Sequence, residues 1–398
     1  MPGVNIVTAT RSGPASTAQS VGARYFVAGM TERGPVDRPL VVRSLQQYID
    51  VYGDRVPYGY LYDDLRTHFE EGGMEAAVIR VVGPAATASQ AALNDRAGSP
   101  AQTLQISAAF PGSWGTRLQV SVANGTASNT YDLSVLFDGR VVETYPGLAS
   151  PAAAVAATAS SAYIRATNAG STAPAPDNNP AVTTAPVGLA GGTDDRASVT
   201  ASHYVAALAL FRPELGTGCV AVPGQPSSGV GSGLLVHCRA NRRIGLAAVA
   251  PGTPAGSAQN AAVALKAVAA GQGQHIGLFW PAIRIPDGAT VRTITPEGYV
   301  AACRARAIGQ VGGPWRAPAG AIAQARFVLA PEIDADRALG DNLNASGVSV
   351  IRTIAGTVRL YGRPRLATPG SSLDPRLSQR RPARLAMACA RRRDPPLA

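Results

Sequence analysis

The sequence predicts an α/β protein: a mixed, mostly parallel sheet with helices forms the core domain, and an antiparallel β-sandwich or barrel domain is inserted into it. After residue 194, helical and strand patterns alternate, which is typical of βαβ units and a parallel sheet. Between residues 98 and 194, short alternating runs lie between Gly, Asn and Asp turns, as in antiparallel sheets. An apolar strand near residue 80 precedes that region and is expected to join the later strands. The antiparallel region is therefore predicted to interrupt one α/β domain.

The predicted organisation has five segments. Residues 1–24 are small, polar and rich in Gly, Ser and Thr, and are predicted to form a flexible N-terminal arm. The first part of the α/β core spans 25–97, the inserted antiparallel domain spans 98–194, and the second part of the core spans 195–366. Residues 367–398 form an atypical tail rich in Pro and Arg.

The first core segment is predicted to contain a helix between two strands. Tyr25–Met30 reads YFVAGM and predicts a short apolar strand. Ala76–Val82 reads AAVIRVV and predicts a strand that is buried on both faces. The helix is predicted to end at Gly72, and apolar residues recur along it every four positions: Leu61, Leu65 and Phe69.

The second core segment is predicted to repeat the helix–strand unit. Helices are predicted over 204–211, 234–242 and 257–270, and strands over 219–224, 244–250, 275–280 and 344–354. Within the inserted domain, 149–187 is rich in Ala, Ser, Thr and Pro and is predicted to contain long exposed loops.

The composition is that of a globular, loop-rich protein, with 46% hydrophobic and 15% charged residues among 398. A net charge of +11 suggests a nucleic-acid partner, but every basic residue except Lys266 is Arg. Seven Arg and two Asp give 367–398 a charge of +5, and this tail has no aromatic residue to stack on bases. A solvated tail is favoured and no specific nucleic acid is predicted. A nucleic-acid-binding protein that acts through the tail is kept as an alternative.

Targeting signals and disulfide spacing are missing from the sequence. No apolar run reaches the roughly 18 residues that cross a bilayer, so no membrane insertion is predicted. The N-terminus lacks the basic start and apolar stretch of a secretory signal. The cysteines have no CxxC spacing and are expected to be reduced thiols: Cys219, Cys238, Cys303 and Cys389.

Local signatures of catalysis and cofactor binding are also missing. The sequence has neither a GxxxxGK phosphate loop nor a GxSxG nucleophile elbow. The glycines of Gly229–Gly233 do not form GxGxxG and are predicted to lie in a flexible turn before a helix. His237 and Cys238 are adjacent, and adjacent side chains on a helix diverge, so they are not predicted to form a nucleophile pair. No catalytic residue or cofactor is predicted. A hydrolase whose Ser, His and Asp come from distant positions is kept as an alternative.

The acidic segment PEIDAD has the carboxylate spacing of a calcium loop but lacks its Gly and terminal Glu. Glu332, Asp334 and Asp336 are therefore predicted to cap a helix, and no metal site is predicted. The three tryptophans lie between Pro and Gly residues and are predicted to be packing anchors.

Short motifs follow one another along the chain: ERGP, PGSWG, AGGTD, WP, PEGYVA and WRAP, then LN, GV, IR and YG pairs. In this order and spacing they resemble the tail sheath proteins of contractile bacteriophages and related injection systems, over roughly residues 20–366. The positions that match the motifs of that family are Gly34, Pro35, Pro111, Gly112, Trp114, Gly115, Gly191, Gly192, Asp194, Trp280, Pro281, Pro296, Gly298, Trp315, Ala317, Pro318, Asn344, Gly347, Arg352 and Gly362.

The resemblance implies a structural subunit without an active site, which polymerises around an inner tube and contracts to drive it through the host envelope. It implies hexameric rings stacked into a helical sheath and a place in the virion tail. The implied partners are other copies of the chain, an inner tail tube protein, and baseplate and tail terminator proteins. The α/β core would form the layer near the tube and the insertion would face outward. The sheath of a phage-derived injection system or tailocin is an alternative of the same class.

Subunits of such an assembly must stay bonded while their packing changes. Strand addition by arms meets this need, because backbone hydrogen bonds hold while the linkers rotate. The arm contains one strand-like stretch, which is predicted to add an edge strand to a neighbour's sheet: Val4, Asn5, Ile6, Val7 and Thr8.

The sequence departs from the family pattern after Tyr361-Gly362. The family usually continues with an Arg-Thr-Leu-like segment, a Trp and a long region of helix and strand. In sheath proteins that region carries much of the tube contact, and its last strand helps to link neighbouring subunits. Here the chain reads RPRL and becomes rich in Pro and Arg. A truncation, an altered reading frame and a shorter variant are three open alternatives.

Overall fold

The computed structural model describes residues 22–270, 273–311, 318 and 320–362. The predicted arm strand Val4–Thr8, the motif residues Trp315 and Ala317, and the tail 367–398 lie outside the described residues. The helices are α1 (Leu45–Tyr52), α2 (Leu61–Glu70), α3 (Pro151–Thr158), α4 (Ala201–Leu208), α5 (Ser227–Ala240), α6 (Ala255–Ala269), α7 (Glu297–Val311) and α8 (Arg337–Ser346).

The strands begin at Arg24, the last residue of the predicted arm. They are β1 (Arg24–Gly29), β2 (Leu40–Val42), β3 (Ala76–Arg80), β4 (Gln90–Asn94), β5 (Gln102–Ala108), β6 (Leu118–Asn124), β7 (Tyr131–Phe137), β8 (Arg140–Leu148), β9 (Ile164–Asn168), β10 (Val187–Gly188), β11 (Gly218–Pro226), β12 (Ile244–Ala248), β13 (Ile276–Trp280), β14 (Ile283–Asp287), β15 (Thr290–Ile294), β16 (Ala330–Pro331), β17 (Val348–Ile354) and β18 (Thr357–Tyr361).

The core is one eight-stranded sheet in the order β18-β17-β13-β12-β11-β1-β3-β2. The six inner strands are parallel to their neighbours, and the edge strands β18 and β2 are antiparallel to theirs. One face packs against α4, α5, α6 and α8, and the other against α1, α2, α7 and the β14–β15 hairpin. Burial on both faces explains the apolar strand sequences. The predicted mixed, mostly parallel sheet is confirmed, and β3 joins it beside β1.

The inserted strands form two antiparallel sheets, β10-β6-β7-β8 and β4-β5-β9. Their inward side chains share one core, which includes Leu104, Trp114, Val120 and Leu133. The arrangement is a sandwich. The inserted domain begins with β4, one strand earlier than the predicted boundary at residue 98. The sequence did not reveal this strand, because its inward residues Ala91 and Leu93 give only a weak alternation of apolar and polar residues.

Helix α3 replaces part of the loops that were predicted between residues 149 and 187. Ser150 caps this helix by accepting a hydrogen bond from the backbone N–H of Ala153, and a proline occupies its first turn. The alanines that follow have the highest helix propensity of any residue. The prediction of long exposed loops is confirmed for 169–186, which is irregular and mostly exposed, but it was wrong for 151–158, where small residues were interpreted as irregular structure.

The prediction of a flexible turn over Gly229–Gly233 was also wrong, since these residues lie inside α5. A Cβ at Gly231 would come within 2.9 Å of Leu265 on α6, and one at Gly233 would collide with the side chain of Val205 on α4. The glycines let three helices pack closely side by side. Glycine usually weakens a helix, but here the close contact between helices leaves no room for a larger side chain.

Asp336 confirms the prediction of helix capping in PEIDAD. Its side chain accepts a hydrogen bond from the backbone N–H of Leu339 at the start of α8. Asp334 accepts instead from the N–H of Thr353 in β17, and Glu332 accepts from the N–H of Gly252. The three carboxylates bind three different backbone sites.

We predict that Gly233→Ala lowers the free energy of unfolding by about 1–3 kcal/mol, because the added methyl group overpacks the contact between α4 and α5. The matched control is Gly256→Ala in α6, where no atom lies within 4 Å of the added Cβ. This control should be neutral or stabilising, since alanine favours helix. Urea unfolding followed by circular dichroism measures both variants. Equal stability of the two would contradict the close-packing explanation.

Candidate functional site

A buried ion pair lies where the core sheet meets the inserted sandwich. The side chain of Arg80, the last residue of β3, is fully buried, and its Nη2 lies 2.5 Å from Oδ1 of Asp194, which is 6% exposed. Nη1 of Arg80 donates to the carbonyl oxygens of Pro111 at 2.7 Å and Gly34 at 3.2 Å. Burial lowers the pKa of Arg80 and the charge of Asp194 opposes that shift. Because an arginine pKa starts so high, the guanidinium stays charged at neutral pH.

Asp194 extends this network into the sandwich. Its Oδ2 accepts hydrogen bonds from the backbone N–H of Ser113 at 3.2 Å and from the hydroxyl of Ser113 at 2.7 Å. Ser113 begins the short 3-10 turn that places Trp114 in the sandwich core. A buried charge needs a counter-charge and hydrogen bonds. Arg80 supplies the counter-charge of Asp194, and Ser113 supplies further hydrogen bonds to it.

Glycines make this convergence possible. A Cβ at Gly112, whose φ is +130°, would lie 2.6 Å from both Nη2 of Arg80 and Oδ1 of Asp194. A Cβ at Gly34, with φ of +106°, would lie 2.6 Å from the ring of Tyr52. Any larger residue would push the surrounding segments away from the ion pair.

The chain enters and leaves the sandwich through two paired segments. Thr87 and Thr193 exchange backbone hydrogen bonds of 2.9 and 3.0 Å, and Gln90 and Ala190 do so at 2.7 and 2.9 Å. The N–H of Gly83 also donates to the carbonyl of Asp194 at 2.9 Å. This ladder and the ion pair together hold the sandwich in one orientation on the core sheet.

The junction brings together motifs that are far apart in the sequence. At or next to the ion pair lie the sequence-predicted residues Gly34, Pro35, Pro111, Gly112, Trp114, Gly115, Gly191, Gly192 and Asp194. Arg80 was missed, although it is the only charged residue in the strand AAVIRVV. A single charge within an apolar strand was the available signal.

The other described motif residues lie in the core domain, away from this junction. Trp280 is buried and its indole N–H donates to the carbonyl of Thr253 at 2.7 Å. Gly347, with φ of +100°, ends α8. Pro281 lies between β13 and β14, and Pro318 precedes the short turn over Gly320–Ala323. Pro296 and Gly298 lie at the start of α7, and Asn344, Arg352 and Gly362 lie in or next to α8, β17 and β18.

A second buried polar group lies between α2, β1 and the start of α7. Asp64 accepts hydrogen bonds from the hydroxyl of Tyr25 at 2.8 Å and from the N–H of Gly298 at 2.7 Å, and burial raises its pKa to about 7. Burial and the nearby charge of Asp64 raise the pKa of Glu297 to about 8. Burial lowers the pKa of His68 to about 4.

This cluster brings a His and two carboxylates together, as the hydrolase alternative requires. However, Asp64, His68 and Glu297 are each 0–1% exposed, so the protein encloses them without an opening for a substrate. Two surface cavities found in the described part of the chain have other linings, one between α5 and α6 and one around Ser113 and Arg196. The cluster is therefore enclosed within the fold.

The adjacent pair His237–Cys238 points in two directions. Nε2 of His237 lies 3.0 Å from Nη1 of Arg243, and burial lowers the pKa of His237 to about 4. Cys238 is buried in the core and burial raises the pKa of its thiol. Within the described ranges, no three His, Cys, Asp or Glu side chains are grouped to hold a metal ion. None of the described helices is long and apolar enough to span a membrane.

No protein-family model matches the sequence, and no curated protein matches it. Sheath tail proteins of known structure share its fold. A sheath tail protein from Listeria innocua aligns with a TM-score of 0.61 and 14% identity, covering 86% of this chain and 68% of that one. A sheath tail protein from Desulfitobacterium hafniense aligns with a TM-score of 0.55 and 11% identity, covering 94% and 76%. The chain therefore has the fold of sheath tail proteins.

We predict that Arg80→Met lowers the free energy of unfolding by about 3–5 kcal/mol, because it leaves the buried carboxylate of Asp194 with only the exposed and more distant Arg196 as a counter-charge. The double variant with Asp194→Leu should recover part of this loss. The control is Arg196→Gln, since Arg196 is 43% exposed and lies 3.8 Å from Asp194, and the change should be about 1 kcal/mol or less. Urea unfolding of the full chain tests this. A loss in Arg80→Met no larger than in the control would contradict the role of the ion pair.

We also predict that the protein loses stability as the pH rises from 6.5 to 8.5. The native pKa values of Asp64 and Glu297, about 7 and 8, lie above those of the unfolded chain, so the native state binds more protons in this window. The two carboxyl groups contribute their full stabilisation at pH values below their pKa in the unfolded chain. This stabilisation is lost as the pH rises through the native pKa values of about 7 and 8. His68, whose native pKa is about 4, makes stability rise with pH, but only below its ordinary pKa of 6.5, where the unfolded chain binds the extra proton.

Glu297→Gln should flatten this decline, because glutamine cannot ionise. Melting temperatures at pH 6.5 and 8.5 provide the measurement, and Glu214→Gln at an exposed position is the matched control. The same decline in Glu297→Gln and in the control would show that this carboxylate does not titrate in the fold.

Proposed function

We propose that this chain is a structural tail sheath subunit, which polymerises around an inner tube and contracts to drive it through the host envelope. The observation that carries the proposal is the shared fold: the sheet and inserted sandwich align with two sheath tail proteins over 86% and 94% of this chain. The order of the sequence motifs adds independent support. The same reasoning covers a phage tail and a phage-derived injection system.

The junction suits such a role, because a contracting sheath needs subunits that move as units. The buried Arg80–Asp194 pair and the paired connections hold the sandwich on the core. The change between extended and contracted packing would then occur at contacts between subunits. We propose that the core domain faces the tube and the sandwich faces outward.

The edges of the core sheet offer places for a neighbour's strand. β2 is the short outer strand at one edge, and β18 is the outer strand at the other. β18 is partly covered, since the N–H of Ala325 donates to the carbonyl of Val358 at 2.9 Å. We propose that Val4, Asn5, Ile6, Val7 and Thr8 pair with an edge strand of a neighbouring subunit.

The proposed partners follow from this role. Copies of the chain would form hexameric rings stacked into a helical sheath, with repeated heterologous contacts. An inner tail tube protein would lie inside, and baseplate and tail terminator proteins would lie at the ends. The proposed location is the virion tail, assembled in the host cytoplasm.

We predict that the purified full chain forms tubes or sixfold rings in negative-stain electron microscopy. Deleting residues 2–18 should leave a folded monomer that forms neither, because the strand-adding arm is gone. Ile6→Pro should act like the deletion, since proline removes an N–H donor from the strand, whereas the control Ser16→Pro lies outside it.

Circular dichroism and sedimentation separate folding from assembly in these variants. Normal tubes from the deletion variant would refute the role of the arm. A full-length chain that stays monomeric at high concentration would refute the sheath function itself.

A further inference from the structure

Two arginines face each other at the β18 edge of the core sheet. The strand register pairs Arg352 in β17 directly with Arg359 in β18. Like charges placed opposite each other in an antiparallel pair destabilise it. Neither arginine forms an ion pair with any described residue.

Both side chains are half-buried, and the Nε–H of each is buried without an acceptor. Nη2 of Arg359 donates to the hydroxyl of Thr357 at 3.3 Å. The guanidinium of Arg352 lies 5.1 Å from the ring centre of Tyr361, whose hydroxyl donates to Asp341. Stacking and one hydrogen bond hold the cations in place but leave their charge without a carboxylate partner.

No acidic side chain among the described residues forms an ion pair with either arginine. Asp341 is the nearby acid, and it also contacts Arg337, which is 85% exposed, at 3.7 Å. The sequence that continues from Gly362 contains nine Arg and two Asp over 363–398, so it adds positive charge. The tail is therefore a poor counter-ion for this site.

We propose that Arg352 and Arg359 form a binding site for a carboxylate on a second copy of this chain. The inference rests on the proposed sheath function, which places copies against one another. Guanidinium groups bind carboxylates through paired N–H donors, and two of them can hold one acidic side chain. The chain exposes carboxylates that form no ion pair with described residues, among them Glu70, Asp177 and Glu214. An acid from a neighbour would complete the charge balance at the sheet edge.

The test measures the critical concentration for assembly of the full chain by sedimentation at several salt concentrations. Arg352→Gln and Arg359→Gln should each raise it about tenfold and weaken its salt dependence, as expected for loss of an interface charge pair. The control Arg337→Gln removes an exposed arginine from the same side of the sheet and should change it less than about twofold. Arg359→Lys, which keeps the charge, should restore part of the loss. Assembly of both glutamine variants like the wild type would overturn the inference and leave the sheath function standing.

A second measurement needs no variant to fold. Hexaglutamate should inhibit assembly of the wild-type chain and bind it at low salt, because it supplies the same carboxylates. A single-stranded oligonucleotide of equal charge should inhibit less. Stronger inhibition by the oligonucleotide would indicate a nucleic-acid site and overturn the proposal. If the wild-type chain stays monomeric, the sheath function and the second-copy site both fall.

Discussion

The structure depends first on the buried ion pair between Arg80 and Asp194. Burying an isolated charge costs several kcal/mol, so each group can remain inside only where the other reaches it. That requirement brings the end of β3, the loop at Gly112 and the exit from the sandwich to one point. The motif glycines follow from it, because a side chain at Gly112 would occupy the space between the charges.

The core sheet sets the second constraint. Its strands are buried on both faces, so helices must cover both sides. On one side α4, α5 and α6 approach closely through the glycines of α5. On the other side α7 starts beside two carboxylates that the fold keeps from water. Both faces of the core sheet are therefore covered within the chain itself.

The positive charge is unevenly divided between the fold and the C-terminal tail. Much of it lies in a tail beyond the described residues. Among the described residues, Arg80 is paired with Asp194, whereas Arg352 and Arg359 have no carboxylate partner. An uncompensated pair at the edge of a sheet is more informative about association than a net charge of +11.

The sequence by itself determined the α/β core, the interrupting antiparallel strands and the cap at Asp336, because periodicity and capping depend on neighbours along the chain. It also contained the motifs whose order resembles sheath proteins. Only the tertiary structure decided that Gly229–Gly233 is helical, since the partners that favour small residues there come from two other helices. The tertiary structure alone also shows that Arg80 contacts Asp194 and that Arg352 faces Arg359. These contacts depend on distant segments that no local pattern brings together.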